Sequence, residues 1–480
     1  MPDSDSFRRH GHALVEWIAD YLEGSERYPV LPRVAPGDVR RALPASPPQQ
    51  GESFDLILAD FERVIVPALT HWNHPGFFGY FAITASAAGV LAEFLAAALN
   101  QQAMLWRTSP AATELEEVSL GWLRELMGLP PSFEGVIYDT ASIASLHALA
   151  AARHAVVPGV REHGLAASGA GRWRVYCSEQ AHSSIDKGVI VLGLGQDALR
   201  RVAVDDDFRM RPDVLRSAIA EDRAAGMVPL AVVATVGTTS TTSIDPIDEI
   251  AEMCGREGIW LHVDAAYGGA AAILPEFQSR FAGWERADSL VVNPHKWLFT
   301  PFDLSAFYCR RMDVVRRAFS VVPDYLVTAE GERGVRNLMD TGIQLGRRFR
   351  SLKLWMTLRH FGAEGLRAAL TEHIRLARLF SEWVDADAEF ERIAPVPFSV
   401  VCFRAAPHGH AAEPAQLDDF NARLLDAVNA SGEVFLSHTR LDGRFVLRLA
   451  IGHLRTREEH VRRVWHLLKH HTAGLRDRNG

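Results

Sequence analysis

The residue types best suited to chemistry stand at the ends of apolar runs. Asn293-Pro294-His295-Lys296-Trp297 directly follows ADSLVV, residues 287–292. A lysine there, beside a histidine in an apolar setting, can be desolvated until its amine becomes nucleophilic enough to attack an aldehyde. A surface lysine at a strand terminus fits the pentapeptide equally well. His262-Val263-Asp264-Ala265-Ala266-Tyr267-Gly268 closes another apolar run, beginning at Trp260. A carboxylate at the C-terminal edge of a parallel sheet sits where α/β proteins bind ligands; Asp264 also reads as the N-cap of a following helix. Asp264 and Lys296 gain weight together, one strand apart. An acid that keeps a ring nitrogen protonated and a lysine that takes an aldehyde are the two groups a pyridine cofactor requires.

Two further sites accompany them. Thr140-Ala141-Ser142 lies between an apolar run and a helix starting near Ile143, where hydroxyls and backbone N–H groups form an anion cup or an ordinary N-cap. Ala181-His182-Ser183-Ser184 follows a run ending at Ser178. A lone histidine there suits a helix start or a buried hydrogen bond as readily as catalysis.

These residues need a frame. Seven short apolar runs alternate with helical stretches: 135–140, 174–178, 189–194, 230–236, 260–265, 289–293 and 304–309. That alternation predicts a mostly parallel, twisted α/β sheet. Residues 7–24 predict an amphipathic helix with Leu14, Trp17, Ile18, Tyr21 and Leu22 on one stripe, and a second helix covers about 53–66. Between them a Pro-rich stretch must wrap over another surface. Helix 110–127 stops at Gly128 and Pro130-Pro131. After Arg350 come long helices, strands at 399–404 and 445–451, and a last helix near 457–471. The expected division is a helical N-terminal dimerisation segment (1–85), a large α/β domain (86–360) and a small α+β domain (361–480).

Composition narrows the classes. The 480 residues carry a net charge of −8, with no basic surface for nucleic acid and no polybasic membrane patch. Cys177, Cys254, Cys309 and Cys402 form no CxxC pair, so no zinc ribbon or disulfide scaffold is expected, and a reducing cytoplasm is. Residues 81–99 are apolar apart from Glu93 but rich in Ala, Ser and Thr, which favours a helix buried within or between subunits over a membrane span.

Taken in order, Ala181–Ser184, Gly237-Thr238-Thr239, His262–Gly268 and Asn293–Trp297 resemble the aromatic-L-amino-acid decarboxylases. These are group II pyridoxal-phosphate enzymes of the aspartate-aminotransferase-like, type I fold. The stretches Phe7-Arg8-Arg9, 71–81 and 345–353 extend the resemblance over nearly the whole chain. It implies that Lys296 carries pyridoxal 5'-phosphate, that Asp264 pairs with its ring nitrogen, and that His182 stacks on the ring. Ala141, Ser142 and Asn293 would hold the phosphate, with His295 beside the lysine. Thr239 and Asp245 would lie near the ring or support His182. Tyr325 matches a loop tyrosine that protonates the α-carbon after CO2 leaves; phenylalanine there goes with aldehyde-forming relatives.

The same resemblance implies a substrate pocket from Trp72, Tyr80, Phe81, Ile83, Met104 and Gly346, suited to a planar aromatic side chain. Gln102 and Met104 stand where animal relatives carry apolar or aromatic residues, and Ala82 and Ile143 depart from the usual proline and polar residue. The ranking of tryptophan, DOPA, tyrosine and phenylalanine stays open. The expected product is the arylalkylamine; the rivals are an aromatic acetaldehyde synthase and a decarboxylase of another amino acid such as histidine. The resemblance further implies a homodimer with shared active sites. Gly193-Leu194-Gly195 fits a dinucleotide fingerprint but lacks an acid at the right spacing and reads as a turn. His466, His470 and His471 read as solvated helix-end residues, and His408 and His410 as loop residues, so no metal site is expected.

Overall fold

The computed structural model describes residues 4–167, 172–321, 335–407 and 413–479. In chain order its strands begin with β1 (Phe77–Phe78), β2 (Glu134–Tyr138), β3 (Arg172–Ser178) and β4 (Leu199–Val202). They continue with β5 (Met227–Thr235), β6 (Trp260–Asp264), β7 (Ser289–Val292) and β8 (Ser305–Cys309). The last are β9 (Phe390–Arg392), β10 (Val400–Ala405), β11 (Phe435–Leu441) and β12 (Arg444–Ala450). The chain gathers into two units: Ile83–Arg378 with Ala394–Cys402, and Met1–Ala82 with Leu379–Ile393 and Phe403–Gly480. Residues 1–82 and most of those after Leu379 thus share one unit.

The unit built on Ile83–Arg378 holds a seven-stranded sheet in the order β2-β8-β7-β6-β5-β3-β4. Neighbours from β7 through β4 run parallel, while β8 runs antiparallel to both β2 and β7. This is the type I arrangement expected. β6, β7 and β8 are buried at every residue, including the polar His262, Asp264, Ser289 and Ser305, as expected of central strands covered by helices on both faces. The Ala141–Val156 helix packs on the sheet through Leu149 and through Ala144, Ala148 and Ala151, whose small side chains allow close approach. Burying the apolar surface of that layer is the main stabilising term, at roughly 25 cal/mol per Å².

One expected strand is not a strand. The Val189–Leu194 run forms the end of the Ser184–Val191 helix and a turn, and the seventh strand is Leu199–Val202. Ile185, Gly188 and Val189 recur at helical spacing on the buried face, and that periodicity overrides the strand preference of the Val and Ile residues. Gly193 and Gly195 take positive φ in the turn that follows, which bears out the reading of GLG as a turn.

The other unit carries a five-stranded sheet, β1-β11-β12-β10-β9, with β11 and β12 antiparallel. β9 and β11 had no expectation in the sequence: β9 is three residues long and β11 carries polar Ser, His, Thr and Arg. The Ser4–Gly24 helix half-buries the predicted stripe, stacking Trp17 on Tyr21 at 5.4 Å. The Pro-rich stretch is tied down by backbone bonds from Val30 to Gly432 and from His71 to Val30. Of the run 81–99, only Ala87–Leu99 is helical, capped by Ser86 accepting from the Gly89 N–H. No single helix among the described residues is long and apolar enough to cross a membrane. Glu93 in that helix accepts from Lys353 and, at 2.7 Å, from Arg348.

Candidate active site

The C-terminal ends of β5, β6 and β7 bring the chemistry together. Alternation along β6 sends His262 and Asp264 to one face, and the register sets Asp264 beside Thr235 of β5 and Val291 of β7. The Ala266 N–H donates to Asp264 Oδ1 at 3.1 Å. Gly237, at φ 89°, is needed at the end of β5: a Cβ there would stand 2.9 Å from the Gly268 nitrogen.

Lys296 belongs to the one-turn helix Pro294–Trp297, with Asn293 at its N-cap. The Asn293 N–H donates to the Ala266 carbonyl at 3.0 Å, stitching the lysine segment to the aspartate segment. Asn293 Oδ1 accepts from the Ser305 hydroxyl at 2.6 Å, which orients its amide. Trp297 anchors the turn from below, stacked on Tyr267 at 4.7 Å and donating through Nε1 to His373. His295 is buried and its Nδ1 accepts the Leu304 N–H at 2.8 Å, so its ring proton sits on Nε2. Burial, with the Lys296 charge beside it, pushes the His295 pKa down to about 3.

His182 lies just before the Ser184–Val191 helix, its Nδ1 accepting the Ser184 N–H at 3.1 Å with Ser184 Oγ at 2.9 Å. Desolvation holds its pKa below the ordinary value; the Lys296 charge lowers it further and the Asp264 charge opposes that. Asp264 ends β6, Lys296 follows the neighbouring β7, and His182 follows β3 of the same sheet. Ala141 and Ser142 open the Ala141–Val156 helix, and the Thr140 side chain does not cap its first-turn N–H groups. Thr239 is exposed on the turn after β5. Asp245 is buried, its two oxygens accepting the Met210 and Thr235 N–H groups, both at 2.7 Å, and burial raises its pKa to about 6.

The residues expected to line a substrate pocket fall into two groups. Trp72 stacks on Tyr80 at 5.7 Å in one unit, where the Arg448 guanidinium also lies 4.6 Å from the Phe81 ring centroid. Ile83, Met104 and Gly346 belong to the other, where Met104 packs on Leu105 and Met339 and a Cβ on Gly346 would come 3.3 Å from Gln102 Nε2. Tyr325, His408 and His410 lie outside the described residues. Among the described residues no group of His, Cys, Asp and Glu is placed to hold a metal ion.

The sequence reading gave no role to Thr235, His262 or Ser145. The hydroxyl of Thr235 is buried without a hydrogen-bond partner beside Asp264, a position suited to a polar group entering from the sheet edge. Its signal was only a threonine ending an apolar strand.

Comparison with known proteins decides the family. The pyridoxal-dependent decarboxylase conserved domain matches residues 36–406. The chain belongs to the pyridoxal-dependent decarboxylases. It is 40% identical to phenylacetaldehyde synthase of Arabidopsis thaliana over 98% of this chain and 97% of that protein. It is 39% identical to aromatic-L-amino-acid decarboxylase of Catharanthus roseus over 98% and 95%. The crystal structure of Oryza sativa TDC with PLP and tryptamine superposes with a TM-score of 0.95 at 37% identity, covering 98% of this chain and 99% of that one.

This decarboxylase is therefore a carboxy-lyase that uses pyridoxal phosphate. Its residues fit that group: a lysine for the aldehyde, a carboxylate for the ring nitrogen, an uncapped helix N-terminus for the phosphate, and an orphan hydroxyl beside the carboxylate.

Proposed function

We propose that this decarboxylase removes the α-carboxylate of an aromatic L-amino acid and releases the arylalkylamine and CO2. The observation that carries the reading is that Asp264 at the end of β6, Lys296 just after the adjacent β7 and His182 just after β3 follow the C-terminal ends of parallel strands in one sheet. Pyridoxal phosphate, when bound, supplies the electron sink for the pair left on the α-carbon as CO2 departs. Lys296 holds its aldehyde. Asp264 keeps a proton on the ring nitrogen, Ala141, Ser142 and Asn293 hold the phosphate, and His295 stays neutral beside the lysine. His182, whose pKa desolvation lowers, would lie against the bound cofactor and orient the substrate carboxylate without adding positive charge. One proton must be delivered to the α-carbon for each CO2 lost, and Tyr325 is the donor the sequence offers.

Trp72, Tyr80 and Phe81 support an aromatic substrate, since stacking and apolar contact favour a planar ring over the side chain of glutamate. Aldehyde formation is the second reading, favoured by the phenylacetaldehyde synthase likeness. Tyrosine at 325 supports the amine. Two copies of this chain form the working unit, supported by the half-exposed Leu91, Phe94, Leu95 and Leu99 on the Ala87–Leu99 helix. The N-terminal segment 1–85 contributes to that contact, and each active site is shared. The cytoplasm is the proposed compartment, supported by four buried cysteine thiols.

The test is Tyr325→Phe with products read by mass spectrometry. Amine output is expected to fall and aldehyde to appear in air. Unchanged amine yield would remove Tyr325 as the donor.

A further inference from the structure

His262 is buried completely and makes a hydrogen bond at each ring nitrogen. Its Nε2 stands 3.2 Å from Ser145 Oγ, and its Nδ1 stands 3.0 Å from Ser289 Oγ. The Trp260 indole N–H donates to Ser289 Oγ at 3.0 Å, which fixes that hydroxyl. These partners come from separate parts of the site. Ser145 lies one turn into the helix opened by Ala141 and Ser142. Ser289 begins β7, the strand that leads into Lys296. His262 itself sits two residues before Asp264, on the same face of β6.

We infer that His262 is a positioning residue that locks the phosphate-facing helix to the acid-bearing strand, through Ser145 on one side and Ser289 on the other. The inference rests on the site proposed above and adds the group that sets its internal spacing. A phosphate and a ring nitrogen belong to one small ligand joined by a short methylene arm, so the cup at Ala141–Ser142 and the carboxylate of Asp264 must stay within its limited span to engage both ends. The helix residues packed on the sheet around this bridge are apolar, among them Ala144, Ala148 and Leu149, and their dispersion contacts are not directional. The His262 bridge defines a register along the strand axis, because hydrogen bonds are directional. Burial keeps the imidazole neutral, its pKa pushed down to about 4, so it does not rival a ring N–H as counter-ion to Asp264.

The test uses the full-length chain stripped of cofactor, titrated separately with pyridoxal phosphate and with pyridoxal, which lacks the phosphate. Ser145→Ala and His262→Phe are expected to weaken pyridoxal phosphate about tenfold, the loss associated with one hydrogen bond. Pyridoxal, which engages only the lysine and carboxylate, should change less than about threefold, and Ser145→Thr should restore tight phosphate binding. Should His262→Phe fail to fold, Ser145→Ala decides alone. Equal weakening of both ligands, or no weakening of either, overturns the inference while leaving the site intact. A wild-type chain that does not bind pyridoxal phosphate overturns the site reading and this inference with it.

Discussion

At the scale of single residues, the His182 ring is the group whose behaviour the surroundings predict most directly. Desolvation and the Lys296 charge hold its pKa below 6.5 against the pull of Asp264, so the neutral form persists to lower pH than in a free histidine. An NMR titration of labelled histidine should place its midpoint under 6.5; a midpoint at or above that value would mean that Asp264 dominates. Asp264→Asn removes the charge that keeps the ring nitrogen protonated, and decarboxylation should fall by roughly 10² to 10⁴ with the fold intact by circular dichroism. A loss under about tenfold would take Asp264 out of the chemistry. Most of this was legible in the sequence, because Asp264 ends one apolar strand and Lys296 follows another by four residues. Ser145 and His262 were not, since a hydrogen bond spanning 117 positions leaves no local pattern.

At the scale of elements, buried neutral histidines tie the α/β unit to pH. His147 and His262 are pushed down to about 4 and His295 to about 3, each by burial first. The sign follows from linkage. Below about pH 6.5 the unfolded chain protonates these rings and the folded chain does not, so stability declines as pH falls from 6.5 toward 4, by roughly 1 kcal/mol per pH unit for each ring. The unfolding temperature should drop steadily from pH 7 to pH 5, and less steeply in His147→Gln. A flat profile, or an unchanged slope in the variant, would contradict neutral burial. The helix at Ser184–Val191 shows where reading elements from the sequence stopped: a run of Val and Ile carries both periods at once, and only packing on the sheet chooses between them. Glu93 teaches the converse, since a charge inside an apolar run was legible, whereas its partners Lys353 and Arg348 lie about 260 positions away.

At the scale of the whole molecule, the half-exposed apolar face of the Ala87–Leu99 helix predicts association. In analytical ultracentrifugation the wild type should sediment at twice the 53.1 kDa chain mass. Phe94→Glu with Leu95→Arg should yield a folded monomer of sharply reduced activity; an active monomer would contradict shared active sites. Six of the seven expected strands of the catalytic sheet were legible in the sequence, and of the apolar run 81–99 the helix covers Ala87–Leu99. The grouping of Met1–Ala82 with Leu379–Ile393 and Phe403–Gly480 depends on contacts such as β1 with β11, which no periodicity announces. The central claim concerns reaction and substrate together, and one measurement bears on both. The protein loaded with pyridoxal phosphate is incubated in air with tryptophan, DOPA, tyrosine, phenylalanine, histidine and glutamate, and amine, aldehyde, CO2 and hydrogen peroxide are quantified by mass spectrometry and a peroxide assay. The account predicts one arylalkylamine per CO2 from an aromatic substrate, with no peroxide; aldehyde with peroxide and ammonia, or turnover confined to histidine or glutamate, would contradict it.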